Sequence, residues 1–261
     1  MKTLYCCGDS FTYGMELDNP ETECWPFILA NMLKYQLINE GVNGSSNDYI
    51  YRKTNEYIFG ENFNPNSIVI LGFTDPFRCE VSINENYLKV VAGSLRVMEE
   101  DKILLLNSYH NKKGIYKKDR DKKKVLDNIT LKLLNKIASD YLNVFHFSSV
   151  NINMLNKYNK IFSLHCLLKC YNIKHLFFNA FDDTRYNKTM IEELSSTDKK
   201  QIDTMINVME KDRSFINISF KEYCVSNSLP YGESHPLAES HIKWAEYLYK
   251  YIKEEELNCP V

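Results

Sequence analysis

The chain of 261 residues has no long apolar run. Its longest, such as 68–71 and 103–106, fall far short of the roughly 20 residues that a bilayer-spanning helix needs. A charge excess of one sign is also missing. With 32 Lys and Arg against 34 Asp and Glu, the net charge is −2, so the overall balance predicts neither a nucleic-acid coat nor a membrane-surface protein. Residues 1–7 carry no extended apolar stretch with a small-residue cleavage site, so no secretory signal is read there and a soluble, cytoplasmic protein is expected. The eight cysteines, Cys6, Cys7, Cys24, Cys79, Cys166, Cys170, Cys224 and Cys259, form no CxxC pair and no regular framework. They are expected to be mostly reduced and buried as small hydrophobes. Cys166 and Cys170 share a helix face and, with His165 and His175, admit a zinc reading. Structural zinc sites usually draw paired ligands from turns, so packing is the expected role, and no metal or cofactor is assigned. There is no internal repeat and no linker that would divide the chain, which is read as a single domain over 1–261.

What is present is an alternation of short apolar strands with amphipathic helices. Residues 3–7 read as a strand ending at Gly8, 23–35 as a helix, and 36–40 as a strand entering the turn-rich loop 41–47. A helix over 49–59 and a β-branched strand over 67–71, ending at Gly72, follow. Continuous apolar strands between helices predict a parallel sheet covered on both faces. Residues 79–91 alternate around Asn84-Glu85-Asn86 and read as a small hairpin. Segment 103–107 reads as a strand or a helix end, 129–141 and 154–170 as helices, and 173–179 as a strand. The polar stretch 184–215 is expected to hold a helix around 200–209. The last helix is placed at 237–255, with Pro236 in its first turn and Ile242, Ala245, Leu248, Tyr249 and Ile252 inward.

Two segments 225 positions apart carry the chemistry: Gly8-Asp9-Ser10-Phe11-Thr12-Tyr13-Gly14, and Glu233-Ser234-His235-Pro236 with His241 beyond. A serine hydroxyl needs a base within hydrogen-bond reach to act as a nucleophile. Gly8 lets the chain turn off the strand, and Ser10 then sits where backbone N–H groups can face an oxyanion. A neutral His235 on a loop edge can accept the serine proton, and Glu233 can take the ring's other N–H. The alternative is an ordinary Gly-Asp-Ser turn, with Asp9 as a local cap and His235 as a solvated loop residue. His241 is expected in a capping or packing role.

These segments resemble the first and last blocks of the SGNH (GDSL) hydrolases. Gly44 in loop 41–47 resembles the second block, and Gly72-Phe73-Thr74-Asp75 resembles the third, all in the family's order. The resemblance implies a three-layer α/β/α sandwich with a central parallel sheet, flavodoxin-like, with a largely helical insertion and a small hairpin at about 78–229. It implies Ser10 as nucleophile, His235 as base and Glu233 as orienting acid. The oxyanion would be held by the N–H groups of Ser10 and Gly44 and a third-block side chain. Where the family usually has asparagine, this chain has Thr74, so the third donor falls to the Thr74 hydroxyl or to Asn47 from the neighbouring loop. The acid is Glu where the family usually has Asp.

The expected activity is ester hydrolysis through an acyl-Ser10 intermediate, with an O-acetyl group on a carbohydrate as one candidate substrate. Acyl transfer at the same site, and a degenerate binding protein on the same fold, are the alternatives. Asp9 and Arg78 are candidate substrate contacts. The partner expected is a small-molecule or glycan ester, with no membrane and no nucleic acid. Segment 112–124 has eight positive charges in thirteen positions and reads as a solvated loop, or as a lid or contact for an anionic substrate.

Overall fold

The computed structural model describes residues 2–61, 63–76, 78–83, 86–91, 94–99, 102–106, 150–181 and 194–258. The basic segment 112–124 and the helix expected at 129–141 lie outside them.

A five-stranded parallel sheet forms the centre. Its strands are β1 (Thr3–Gly8), β2 (Gln36–Gly41), β3 (Ile68–Phe73), β8 (Lys174–Asn179) and β9 (Phe215–Ile216), in the order β2-β1-β3-β8-β9. Counting only these five, the order is 2-1-3-4-5, the flavodoxin-like winding that the resemblance implied. Alternation within β1 separates the two faces. Leu4 and Cys6 meet Trp25, Leu29, Trp244 and Leu248, whereas Tyr5 and Cys7 meet Tyr49, Ile50, Ile161, Leu164 and Met209. Helices α3 (Trp25–Leu33) and α8 (Ala238–Asn258) therefore cover one face. Helices α4 (Asn47–Phe59), α5 (Val150–Cys170) and α6 (Ser196–Lys211) cover the other.

Several elements depart from the sequence expectations. The helix over 23–35 is two helices, α2 (Pro20–Glu23) and α3, broken where Cys24 is extended and Pro26 enters the first turn of α3. The hairpin, β4 (Cys79–Ile83) with β5 (Asn86–Val91), continues through β6 (Ser94–Glu99) and β7 (Lys102–Leu106) into a four-stranded antiparallel sheet. The span between 78 and 229 also supplies β8, α6, β9 and α7 (Phe220–Ser226), which build the core rather than decorate it. The terminal helix starts at Ala238, because Pro236 is held in an antiparallel bridge with Tyr231. His241, Trp244, Ala245, Leu248 and Ile252 form its buried stripe, and Ile242 is 41% exposed. Cys6, Cys7, Cys24 and Cys224 are free and buried, but Cys166 and Cys170 are free and exposed. The buried ring of His165 is hydrogen-bonded to His175 at 2.9 Å, and the four residues of the zinc reading form no group that could hold a metal among the described residues.

Gly41, Gly8 and Gly72 stand in register across β2, β1 and β3 at the carboxyl edge of the sheet. The row lets α1 (Ser10–Tyr13) lie directly on the strand ends. A Cβ at Gly41 would sit 2.8 Å from Tyr13 N and 2.9 Å from Thr12 C, backbone atoms that cannot swing aside. Gly41→Ala is expected to cost about 1 to 3 kcal/mol by overpacking and to displace Ser10. A urea midpoint equal to wild type would contradict this seating.

Buried histidines set the acid response. His241 is fully buried and its Nδ1 accepts the Trp25 N–H at 3.1 Å, capping α3; burial lowers its pKa to about 3. His175 is lowered by burial to about 4, and His165 is lowered from the same cause. The unfolded chain binds these protons near pH 6.5 and the folded chain does not. Stability is therefore full above that pH and falls as pH drops toward 4. With His241 and His175 each contributing about 1.4 kcal/mol per pH unit, the combined slope is about 3 kcal/mol per unit. Unfolding midpoints that stay level between pH 7 and pH 5 would refute it.

Candidate active site

At the carboxyl end of β1 the chain turns at Asp9 into the short helix α1. Gly14, with φ of 89°, ends that helix. Asp9 is fully buried and is the N-cap: its Oδ1 accepts the Phe11 N–H at 3.0 Å. Its Oδ2 accepts the Thr74 hydroxyl at 2.7 Å and Arg78 Nη1 at 3.1 Å. Burial pushes the Asp9 carboxyl up, against the opposing pull of Arg78, Thr74 and Phe11. Three donors thus converge on one carboxylate, and Asp9 ties the β1–α1 turn to the loop after β3. The Arg78 guanidinium also lies over the Phe181 ring, 5.2 Å from its centroid. Asp9 and Arg78, read from sequence as substrate contacts, are paired with each other.

Ser10 is the first residue of α1 and is 2% exposed. Among the described residues neither its hydroxyl nor its N–H has a hydrogen-bond partner. The second loop is clamped against the same strand end. Val42 N–H and the Ser45 hydroxyl both donate to the Gly8 carbonyl, at 3.0 and 2.9 Å. Gly44 takes φ of 72°, a left-handed conformation natural to glycine, and its N–H too has no partner among the described residues.

Both side chains expected to supply the third oxyanion donor are otherwise engaged. Thr74 gives its hydroxyl proton to Asp9. Asn47 donates to the carbonyls of Thr74 and Asp75, at 3.1 and 3.3 Å, and accepts the Thr74 N–H at 2.9 Å. Asn47 therefore clips the start of α4 to the third loop, through backbone groups that make no demand on the side chain at position 74.

His235 arrives on the turn before α8. The Gly232 N–H donates to the His235 carbonyl at 2.8 Å, and the Leu237 N–H to the Pro230 carbonyl at 3.2 Å. The ring packs 5.5 Å from that of Phe11, the neighbour of Ser10, and its side chain is 17% exposed. No hydrogen bond joins it to Ser10 among the described residues. The carboxylate at its Nδ1 is that of Glu16, with Oε1 at 2.8 Å. Glu233, expected in that place, is exposed and makes no hydrogen bond to the ring. Glu16 carries no motif signal: it lies six residues after Ser10 in a segment whose block ends at Gly14.

A buried serine with an uncommitted hydroxyl, two open backbone amides nearby in the chain's fold, and an imidazole backed by a carboxylate are the components of acyl chemistry. No helix among the described residues is long and apolar enough to cross a membrane.

No protein-family model matches the sequence, and no curated protein matches it. Solved structures do. The chain is similar to the psychrotrophic esterase EstA from Pseudoalteromonas sp., with 12% identity and a TM-score of 0.50 over 98% of this chain and 99% of that one. A member of the lipolytic protein G-D-S-L family from Veillonella parvula has 12% identity and a TM-score of 0.45, over 95% of both chains. A carbohydrate esterase family 2 enzyme with a carbohydrate-binding domain, from Corynascus thermopiles, has 12% identity and a TM-score of 0.44, over 96% of this chain and 65% of that one. The chain has the fold of the EstA esterase.

Proposed function

We propose that this protein is a serine hydrolase of the SGNH type that cleaves an ester through an acyl-Ser10 intermediate, with His235 as general base. One observation carries the reading. On an esterase fold, the segment ends that sequence alone could only pair by motif meet in space: the ring of His235 packs on Phe11 beside Ser10, and a carboxylate holds its Nδ1. The base takes the Ser10 proton as Oγ attacks the ester carbonyl. It then protonates the departing alcohol, and water later releases the acid by the same route. The developing oxyanion is met by the N–H groups of Ser10 and Gly44.

The acyl group fits best if it is short. Ser10 is 2% exposed, and its neighbour Phe11 is 1% exposed with the Phe181 ring 4.4 Å from its own. An O-acetyl group on a carbohydrate is an ester of that size. Wild type, Ser10→Ala and His235→Ala are compared on p-nitrophenyl acetate and on the octanoate. Release from the acetate by wild type alone supports the reading, and equal release by all three overturns it.

A second reading, ligand binding without turnover, is favoured by the engagement of Thr74 with Asp9 and of Asn47 with the third loop. Loss of one oxyanion donor costs about 3 kcal/mol of barrier stabilisation. A fluorophosphonate probe separates the two: labelling at Ser10 rejects an inert nucleophile.

A further inference from the structure

We infer that Glu16, on the nucleophile's own loop, is the acid that orients His235, and that the Glu233 carboxylate is not that acid; this rests on the reading of Ser10 and His235 as nucleophile and base. The contact itself is short and charge-assisted in form, Glu16 Oε1 to His235 Nδ1 at 2.8 Å. An ionised carboxylate only accepts hydrogen bonds, so Nδ1 carries a proton, and in the neutral ring the lone pair is then on Nε2, available to the serine hydroxyl. That is the tautomer a general base at Nε2 requires.

The surroundings are built for this carboxylate. The Ser234 N–H donates to the same group, 3.2 Å from Oε1 and 3.4 Å from Oε2, so Glu16 grips both the ring and the backbone that carries it. The hydrogen bond from His235 is the largest cause holding the Glu16 carboxyl below its ordinary range. Gly232 gives way to it: a Cβ there would lie 2.1 Å from Glu16 Oε2. Glu16 itself has φ of 71°, a conformation that a residue with a Cβ adopts at a cost and that persists where surrounding contacts hold it. The N–H groups of Gly14 and Met15 both return to the Ser10 carbonyl at 3.0 Å, closing α1 and aiming the chain at the His235 turn. Nucleophile and acid therefore sit on one short rigid segment, and only the base comes from the far end of the chain. The Glu233 side chain, by contrast, is exposed.

Glu16 touches neither substrate nor reacting atoms, so it is a positioning residue. The test uses the full chain with 15N-labelled histidine, read by long-range 1H–15N correlation at neutral pH, alongside steady-state kinetics on p-nitrophenyl acetate. Wild type and Glu233→Ala are expected to show the Nδ1–H form of His235. Glu16→Ala is expected to move toward the Nε2–H form that free histidine favours. In kinetics, Glu16→Ala is expected to lose about 10² to 10⁴ in kcat, with KM within about threefold of wild type, whereas Glu233→Ala stays within about threefold in both. An Nε2–H form in wild type, or a tautomer change in Glu233→Ala and not in Glu16→Ala, overturns the assignment. If wild type itself releases no product, it is the hydrolase reading that fails, and the tautomer still decides the role of Glu16.

Discussion

Ser10→Ala is expected to lower kcat for ester hydrolysis by about 10⁶-fold while leaving the fold as stable as wild type to within about 0.5 kcal/mol. The two halves of this expectation come from the same fact. The Ser10 hydroxyl has no hydrogen-bond partner among the described residues, although the residue is buried. Removing it strands no donor or acceptor, and alanine is well tolerated in a helix. The chemistry, by contrast, loses its attacking atom. What survives is the contribution of the backbone amides and of substrate binding, about 10³ to 10⁴ over the uncatalysed reaction. Circular dichroism with urea unfolding checks the first half and single-turnover kinetics the second. A variant that is both inactive and unfolded would mean that the hydroxyl is structural.

Asp9→Ala is expected to behave in the opposite way, costing about 3 to 5 kcal/mol of stability whatever its effect on rate. Its carboxylate is fully buried and satisfies the Phe11 N–H, the Thr74 hydroxyl and the Arg78 guanidinium together. Truncation removes the cap of α1, typically worth about 1 kcal/mol, and leaves Arg78, whose side chain is only 17% exposed, without its partner. Adding Arg78→Ala removes that stranded charge, so the double variant is expected to be less damaged than the sum of the two single changes. Urea midpoints around the four-member cycle measure this. An Asp9→Ala midpoint equal to wild type would show that the carboxylate is not the tie between β1 and the third loop.

Local physics made much of this legible in advance. Apolar runs ending at glycine give β1 and β3, and the apolar run 173–179 gives β8, each to within two residues, because strands packed under helices carry apolar side chains. The row of Gly8, Gly41 and Gly72 was visible as three strand ends, although not as a row, since register is a property of the paired sheet. The apolar pattern puts Ile242 in the inward stripe of the last helix, whereas the structure turns His241 to the core and leaves Ile242 exposed. Neighbouring helical positions lie about 100° apart, and 241 and 242 flank the edge of one stripe, so which of them turns inward is settled by what packs against the helix.

The same division runs through the site. The sequence by itself singles out Ser10 and His235 as residues to bring together, and it determined that Asp9 and Gly44 stand at turns after strands. A nucleophile on a strand end and an imidazole before a helix are set by neighbours within a few positions. Which carboxylate meets the imidazole was decided by the tertiary structure alone. Glu233 is two residues from His235 along the chain, yet two residues in a tight turn project to different sides. Glu16 is 219 residues away and reaches Nδ1 because the end of α1 and the Gly232 turn are folded against each other. Likewise only the fold shows that Thr74 and Asn47 are engaged with Asp9 and the third loop. A hydrogen-bond partner is chosen by distance and direction, and neither is encoded by separation in sequence.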